Sequence, residues 1–351
     1  MGVPLGVEAV EESLRDSTLL EDFLEQAGLI EYLWKSDVEE IQINRPGEFW
    51  IWSSGTPYGV RVEAKWLDLT MCNQLAESLA AFNDVVLSPQ SPVHTLEFPE
   101  TYKDGIRAQL VVPPAVEKNT VSFSIRIPGN ERYSLADYIR TKRFAKTRAV
   151  NGGVVELAEW QRLMLDLHGN HEWEEFFKLG VEHRQNIIIF GGPGSGKTTL
   201  AKALTDLFPV TRRMITVEAI KELLLPNHPN RVHLLYGQSV TPKSLVASAM
   251  RMRPDHLFLA ELTGDEAWHY IELLNTGVPG TVTTAHANDC KSGIARVCGL
   301  IKQSEVGQGL DYSYIERLVL SSFDIMIYME NTQVMEVHYE PLRKLELLSG
   351  K

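Results

Sequence analysis

Apolar positions repeat along this chain with two periods, and where the period changes the chain changes character. Leu20, Phe23, Leu24, Ala27, Ile30 and Leu33–Trp34 recur at helical spacing, which predicts an amphipathic helical segment. The stretch EIQINRPGEFWIW (Glu40–Trp52) then alternates apolar and polar residues on either side of Asn44-Arg45-Pro46-Gly47. Alternation around a turn-forming tetrapeptide predicts a β-hairpin. A third strand is expected near 60–62, a helix over roughly 67–82, a loop over 88–104 with Pro89, Pro92 and Pro99, and strands at 106–112 and 120–127. Strands and helices without regular alternation predict a smaller α+β N-terminal domain, residues 1–135, that includes the N-terminal helix.

Between 136 and 156 the pattern lapses. The run RTKRFAKTR (140–148) places five positive charges in nine residues with no acid and reads as a basic linker. Helical periodicity resumes at 157–167 and 173–179. Short apolar runs suited to strands buried on both faces follow at 187–190, 214–217, 257–260 and 281–284. Helix-length segments separate them, which predicts an α/β domain with a mostly parallel sheet over 157–351.

The first of these strands runs into GGPGSGKTT, Gly191–Thr199, and then a helix-forming stretch. G-x-x-x-x-G-K-T between a strand and a helix is the pattern of a phosphate-binding loop. Its glycines let backbone N–H groups approach phosphates, and the helix N-terminus adds unpaired donors and a positive dipole end. Gly192, Pro193, Gly194, Ser195, Gly196, Lys197, Thr198 and Thr199 are therefore the candidate cradle for ATP. Lys197 is expected on the β- and γ-phosphates and the Thr198 hydroxyl on Mg²⁺.

Ligands of open α/β sheets bind beyond the carboxyl ends of the strands. There the chain sets Glu218, Glu261 and, two residues past the last of the four runs, His286. Glu261 follows the apolar run Leu257-Phe258-Leu259-Ala260, as expected of the acid that holds Mg²⁺ or its water. Glu218 is a second candidate acid. In TVTTAHAN (Thr281–Asn288) the histidine is either a strand cap or a member of the site.

Charge modifies this picture at the N-terminus. Residues 1–40 hold eleven acids against Arg15 and Lys35, a net −9 of the chain's −12. A membrane-surface helix wants a Lys/Arg-rich polar face, so an acidic solvated face is expected here. An acidic chain also disfavours direct nucleic-acid binding. Cys72, Cys290 and Cys298 lack metal-like spacing and are expected as reduced, buried thiols of a cytoplasmic protein. No apolar run approaches the length of a membrane span, so contact with a membrane would go through partners or a surface contact.

Taken together, GGPGSGKTT, ITVEAIKEL (215–223), RMRPDHLFLAEL (251–262) and TGVPGTVTTAHAN (276–288), with EIQINRPGEFWIW, GIRAQLVVPPAV and TVSFSIRIPG in the first half, resemble the hexameric ATPases of type II and type IV secretion, most of all the traffic ATPases of type IV secretion and conjugation. The resemblance covers nearly all of the chain. It implies a RecA-like ATPase domain with the N-terminal domain over the nucleotide, ATP and Mg²⁺ as ligands, and a homo-hexameric ring at the cytoplasmic face of the inner membrane beside secretion-machine subunits. It implies phosphate contacts for Arg107 and Arg126, and trans-acting roles for Arg251 or Arg253. His286 becomes a γ-phosphate sensor and Glu261 the water-polarising acid. Three departures stand out: Ala219 where the family has an acid, Thr263 where an arginine is common, and Val278-Pro279 where a histidine is common. They leave a nucleotide-dependent scaffold as the competing reading, with a nucleic-acid translocase third. The motor stroke expected of the ATPase is a swing of the N-terminal domain against the RecA-like domain.

Overall fold

The computed structural model describes residues 17–129, 132–147 and 156–349. The acids Glu8, Glu11, Glu12 and Asp16, and the end of the basic run at Arg148, lie outside the described residues. The first half holds α1 (Thr18–Gln26), α2 (Ile30–Trp34), β1 (Val38–Arg45), β2 (Gly47–Ser53), β3 (Val60–Ala64), α3 (Leu69–Phe82), β4 (Val93–Glu97), β5 (Arg107–Val111) and β6 (Ser122–Arg126). Its strands form one antiparallel sheet in the order β3-β2-β1-β6-β5-β4. The Asp68 side chain starts α3 by accepting from Met71 N at 2.8 Å. The buried stripe of Cys72, Leu75, Ala76 and Leu79 on that helix shares a core with Ile41, Phe49, Leu110 and Phe123 of the sheet.

One element here departs from expectation. The proline-bearing loop 88–104 contains β4, an edge strand paired to β5 alone. Pro92 and Pro99 bracket it, and an edge strand tolerates such neighbours because only one of its sides must donate to a ladder.

The short helix α4 (Leu135–Arg140) leads toward the second half, which runs α5 (Glu159–Gly169), α6 (Trp173–Glu182), β7 (Ile187–Gly191), α7 (Lys197–Thr205), β8 (Met214–Glu218), β9 (Arg231–Leu235), α8 (Pro242–Ala249), β10 (His256–Leu259), α9 (Glu266–Leu274), β11 (Val282–Ala285), α10 (Cys290–Gln303), α11 (Glu305–Gln308), α12 (Tyr312–Ser322), β12 (Ile325–Glu330), β13 (Gln333–His338) and α13 (Pro341–Ser349). The four strands expected from apolar runs are β7, β8, β10 and β11; β9 and β13 carry polar residues within short runs and escape that signal, and β12 (IMIYME) is a further apolar, buried run that the expectation does not include.

Two ladders, β10-β8-β9 and β11-β7-β12-β13, lie edge to edge, and all pairings but β12–β13 are parallel. Side chains join them. The hydroxyls of Thr281, Thr283 and Thr284 donate to the carbonyls of Leu257, Leu259 and Ala260, and Leu262 N donates to Thr284 O. The β-branched run of TVTTA thus stitches the sheet at the point where the backbone ladder lapses. The continuous order is β9-β8-β10-β11-β7-β12-β13. In β7, Ile188 and Phe190 enter one core while Ile187 and Ile189 enter the other, which explains the unbroken apolar run.

The halves meet at the amino ends of β8 and β9. Arg213 is fully buried there and donates to Asn44 Oδ1 (2.7 Å) and Ser124 Oγ (3.2 Å) of the first half, and to Asn230 Oδ1 (2.7 Å) and Met252 O (2.8 Å) of the second. Leu235 N donates to Ala115 O at 2.8 Å, so the first half also covers the edge of β9.

Candidate active site

The phosphate loop joins β7 to α7, and its backbone requires glycine. At Gly191, φ is +157°, and a Cβ would lie 2.4 Å from Ser195 Oγ and 2.5 Å from Met329 O of the adjacent β12. Gly196 precedes α7 with φ +91°, in the left-handed region that glycine adopts without cost. The first turn of α7 holds no acid, so its N–H groups remain available to an anion. Ser195 Oγ is buried without a hydrogen-bond partner.

Sheet order then decides which predicted residues meet. β11 lies beside β7 and β10 beside β11, so His286 and Glu261 reach the loop from neighbouring strands. Lys197 Nζ donates to Gly191 O (2.9 Å) and Gly192 O (2.8 Å) and lies 3.4 Å from His286 Nδ1. His286 Nδ1 lies 3.1 Å from Gly191 O, and its Nε2 is 2.6 Å from Glu261 Oε1. That last contact is close enough for an ion pair but is not aligned as a hydrogen bond, and Glu261 Oε1 makes none. Nδ1 accepts from Lys197 when it carries no proton and donates to Gly191 when it does, so ring tautomer and lysine position are coupled. Burial lowers the ammonium pKa of Lys197, and the charge of Glu261 opposes that shift.

Glu218 sits one strand further away and does not join the contact. It is fully buried, its Oε2 accepts from Glu222 N (2.9 Å) and Leu223 N (3.0 Å), and its Oε1 lies 3.8 Å from His233 Nδ1. Burial favours its neutral form, but His233 and the two amides outweigh that and hold the carboxyl below its ordinary range. His233, on β9, was not a candidate from sequence; only its register opposite Thr216 places it beside Glu218.

Arg107, Arg126 and Arg253 line one cavity, and no phosphate-loop residue lines it with them. The β-ladder aligns Glu97, Arg107, Arg126 and Glu40 in one cross-strand row. Two arginines directly opposite repel unless an anion or acid lies between them. They wall a cavity of about 570 Å³ together with Glu39, Arg251 and Arg253, and no phosphate-loop residue lines it. Arg253 is engaged there, 3.1 Å from Glu39 Oε2 and 4.3 Å above the Trp52 ring. Arg251 is exposed.

Residues 154–325 match the family model described as type II/IV secretion system protein. Curated relatives agree over most of the chain. VirB11 of Bartonella henselae is 33% identical over 337 residues, covering 91% of this chain and 93% of its own. VirB11 of Brucella suis is 33% identical over 332 residues, covering 90% and 89%. PtlH of Bordetella pertussis is 33% identical over 321 residues, covering 88% and 90%. The crystal structure of the Brucella suis VirB11 ATPase with sulphate superposes with a TM-score of 0.87 at 32% identity, covering 95% of this chain and 97% of that one.

The chain belongs to the type II/IV secretion ATPase family. The expected architecture, a RecA-like ATPase domain with an N-terminal domain, is that of the family. As an ATPase of this family, the chain binds nucleotide. At Thr263, the backbone N–H donates to Glu266 Oε1 at 2.7 Å, so this position secures the start of α9. Among the described residues no helix is long and apolar enough to cross a membrane.

Proposed function

We propose that this type IV secretion ATPase works as a homo-hexameric ring at the cytoplasmic face of the inner membrane, driving substrate translocation or pilus assembly beside partner subunits, with each site shared between adjacent copies. One observation carries the reading. Lys197, Glu261 and His286 converge on the phosphate loop, while the arginines form a separate cavity that holds none of it. A chain whose two half-sites share no lining residue needs a neighbour to complete either.

The residues suit ATP and Mg²⁺. The orphaned Ser195 Oγ and Glu261 Oε1, and the acid-free start of α7, all lack the partners that a phosphate and its cation would provide. Mg²⁺, when bound, neutralises phosphate charge. Lys197 would exchange its two loop carbonyls for phosphate oxygens, and Thr198 and Glu261 would hold the cation. Glu261 then orients the attacking water. His286 registers the change, because its ring lies against both Lys197 and Glu261. Arg107 and Arg126, with Arg251 or Arg253, approach from the neighbour and offset the charge that develops on the transferred phosphoryl group.

Phosphate release and equilibrium ATP binding test this. Lys197→Ala should lose both; Glu261→Gln should retain binding and turn over about 10²-fold more slowly. A mixture of Glu261→Gln with Arg107→Ala/Arg126→Ala chains should regain activity, since intact half-sites meet at some boundaries. Failure of the mixture to recover would remove the shared site. ATP binding without phosphate release by the unsubstituted chain would make it a scaffold instead.

A further inference from the structure

Two surfaces of opposite charge stand uncovered on the same chain. Every residue from Arg132 to Thr147 is exposed except the half-buried Asp137. The segment is nevertheless ordered within itself. Ser134 and Asp137 cap α4 reciprocally, and the Arg143 guanidinium lies 4.2 Å from the Tyr133 ring and 5.0 Å from that of Tyr138. Leu135 is 69% exposed, Ile139 65% and Phe144 49%. Leu135 and Ile139 are four apart and share one face of the helix. Around this ridge stand Arg132, Arg140, Lys142, Arg143 and Lys146 against one acid, Asp137, which Arg140 engages at 2.8 Å. A structured segment that exposes this much apolar surface marks an interface.

The second surface covers α1 and α2, which carry Glu21, Asp22, Glu25 and Glu31 and no base. Trp34 is 56% exposed and its ring lies 5.9 Å from that of Tyr102. Glu21 and Glu25 face the same ring: burial first, and then their charges, push the Tyr102 phenol up to about 12. Lys35, just past α2, is already committed to Glu31 at 3.8 Å and to the Tyr32 ring. The result is an acidic face with an aromatic centre.

We propose that segment 132–147 of one copy docks on the α1–α2 face of the next copy. Arginine and lysine meet carboxylates while Leu135 and Ile139 cover Trp34. Two different patches on identical chains make a head-to-tail contact, which closes into a ring when the rotation allows. An anionic membrane is the poorer occupant, because a chain of net charge −12 is repelled from it. The inference rests on the ring reading and names an interface that contains no residue of the nucleotide site.

The test uses full-length chains. Cys72, Cys290 and Cys298 are buried, so added cysteines react alone. Mild oxidation of mixed Ile139→Cys and Trp34→Cys chains should give a disulfide-linked dimer that neither variant forms by itself. A double variant that closes within one chain, with no product from the mixture, overturns the proposal. In sedimentation, Leu135→Glu/Ile139→Glu should weaken association at least tenfold, and Glu21→Lys/Glu25→Lys should restore what Lys142→Glu/Arg143→Glu loses. If the unsubstituted chain assembles and Leu135→Glu/Ile139→Glu assembles equally well, this docking fails and the ring stands. If the unsubstituted chain stays monomeric with nucleotide, the ring reading itself falls. Flotation with phosphatidylglycerol vesicles that is lost in Leu135→Glu/Ile139→Glu, without cross-linking, assigns the segment to a membrane and overturns the proposal.

Discussion

His286 is the residue whose role the structure sharpens most. Its two ring nitrogens touch opposite partners, Lys197 and Gly191 on one side and Glu261 on the other. A strand cap would bond only its own turn. As a link between the lysine proposed to grip phosphate and the acid proposed to orient water, it suits a sensor of what the loop holds. Replacing His286 with Ala should leave ATP affinity within a few-fold and cut kcat about 10²-fold, the scale of losing one oriented electrostatic partner. Unchanged turnover in a steady-state assay would return His286 to the role of a cap. The neighbouring Glu218 shows the opposite lesson. A strand-end acid of the right type is here buried, bound to its own turn and paired with His233, a partner that strand spacing does not announce.

At the scale of elements, α10 holds the phosphate loop in place from behind. Gly293 of that helix lies so close to β7 that a Cβ would sit 2.6 Å from the Phe190 ring, directly before the loop. Gly293→Ala should therefore cost about 1–3 kcal/mol through overpacking and weaken ATP binding as β7 shifts. Gly299, on the same helix, has nothing within 4 Å of its built Cβ. Gly299→Ala should instead raise stability by about 0.4–1 kcal/mol. Thermal unfolding of the pair checks both, and equal effects would mean that the Phe190 contact is not what decides. Periodicity located β7, β8, β10 and β11 because each is buried on both faces. It passed over β4, β9 and β13, which lie at sheet edges, where half-buried residues leave a weaker apolar signature.

Across the whole molecule, the junction at Arg213 bears on how the machine can move. Burial draws its guanidinium down to about 10, so it remains charged at neutral pH, held by neutral acceptors from both halves. A swing of the first half against the second within one chain would expose this group and strip the acceptors of their donor. In the proposed ring, relative motion is easier at the boundary between copies, where the two half-sites would meet. Arg213→Met should cost about 1–3 kcal/mol, as for buried acceptors left without their donor. It should spare ATP affinity, because Arg213 sits at the end of β8 opposite the phosphate-loop rim. A loss under about 1 kcal/mol in denaturant titration would show that the junction is not a lock.

By itself the sequence determined the phosphate loop, the class of fold, and the identities of Lys197, Glu261 and His286, because strand, glycine loop and helix are local and contiguous. It also marked Arg107 with Arg126, and Arg251 with Arg253, through family strings. Only the tertiary structure decided which of them share a space. Strand order brings β11 and β10 to the loop and leaves Glu218 one strand beyond. Cross-strand register puts Arg107 beside Arg126, in a cavity that no phosphate-loop residue lines. Such proximities come from strand pairings and side-chain contacts between residues up to 214 positions apart, as in the contact of Arg253 with Glu39, and local spacing carries no record of them.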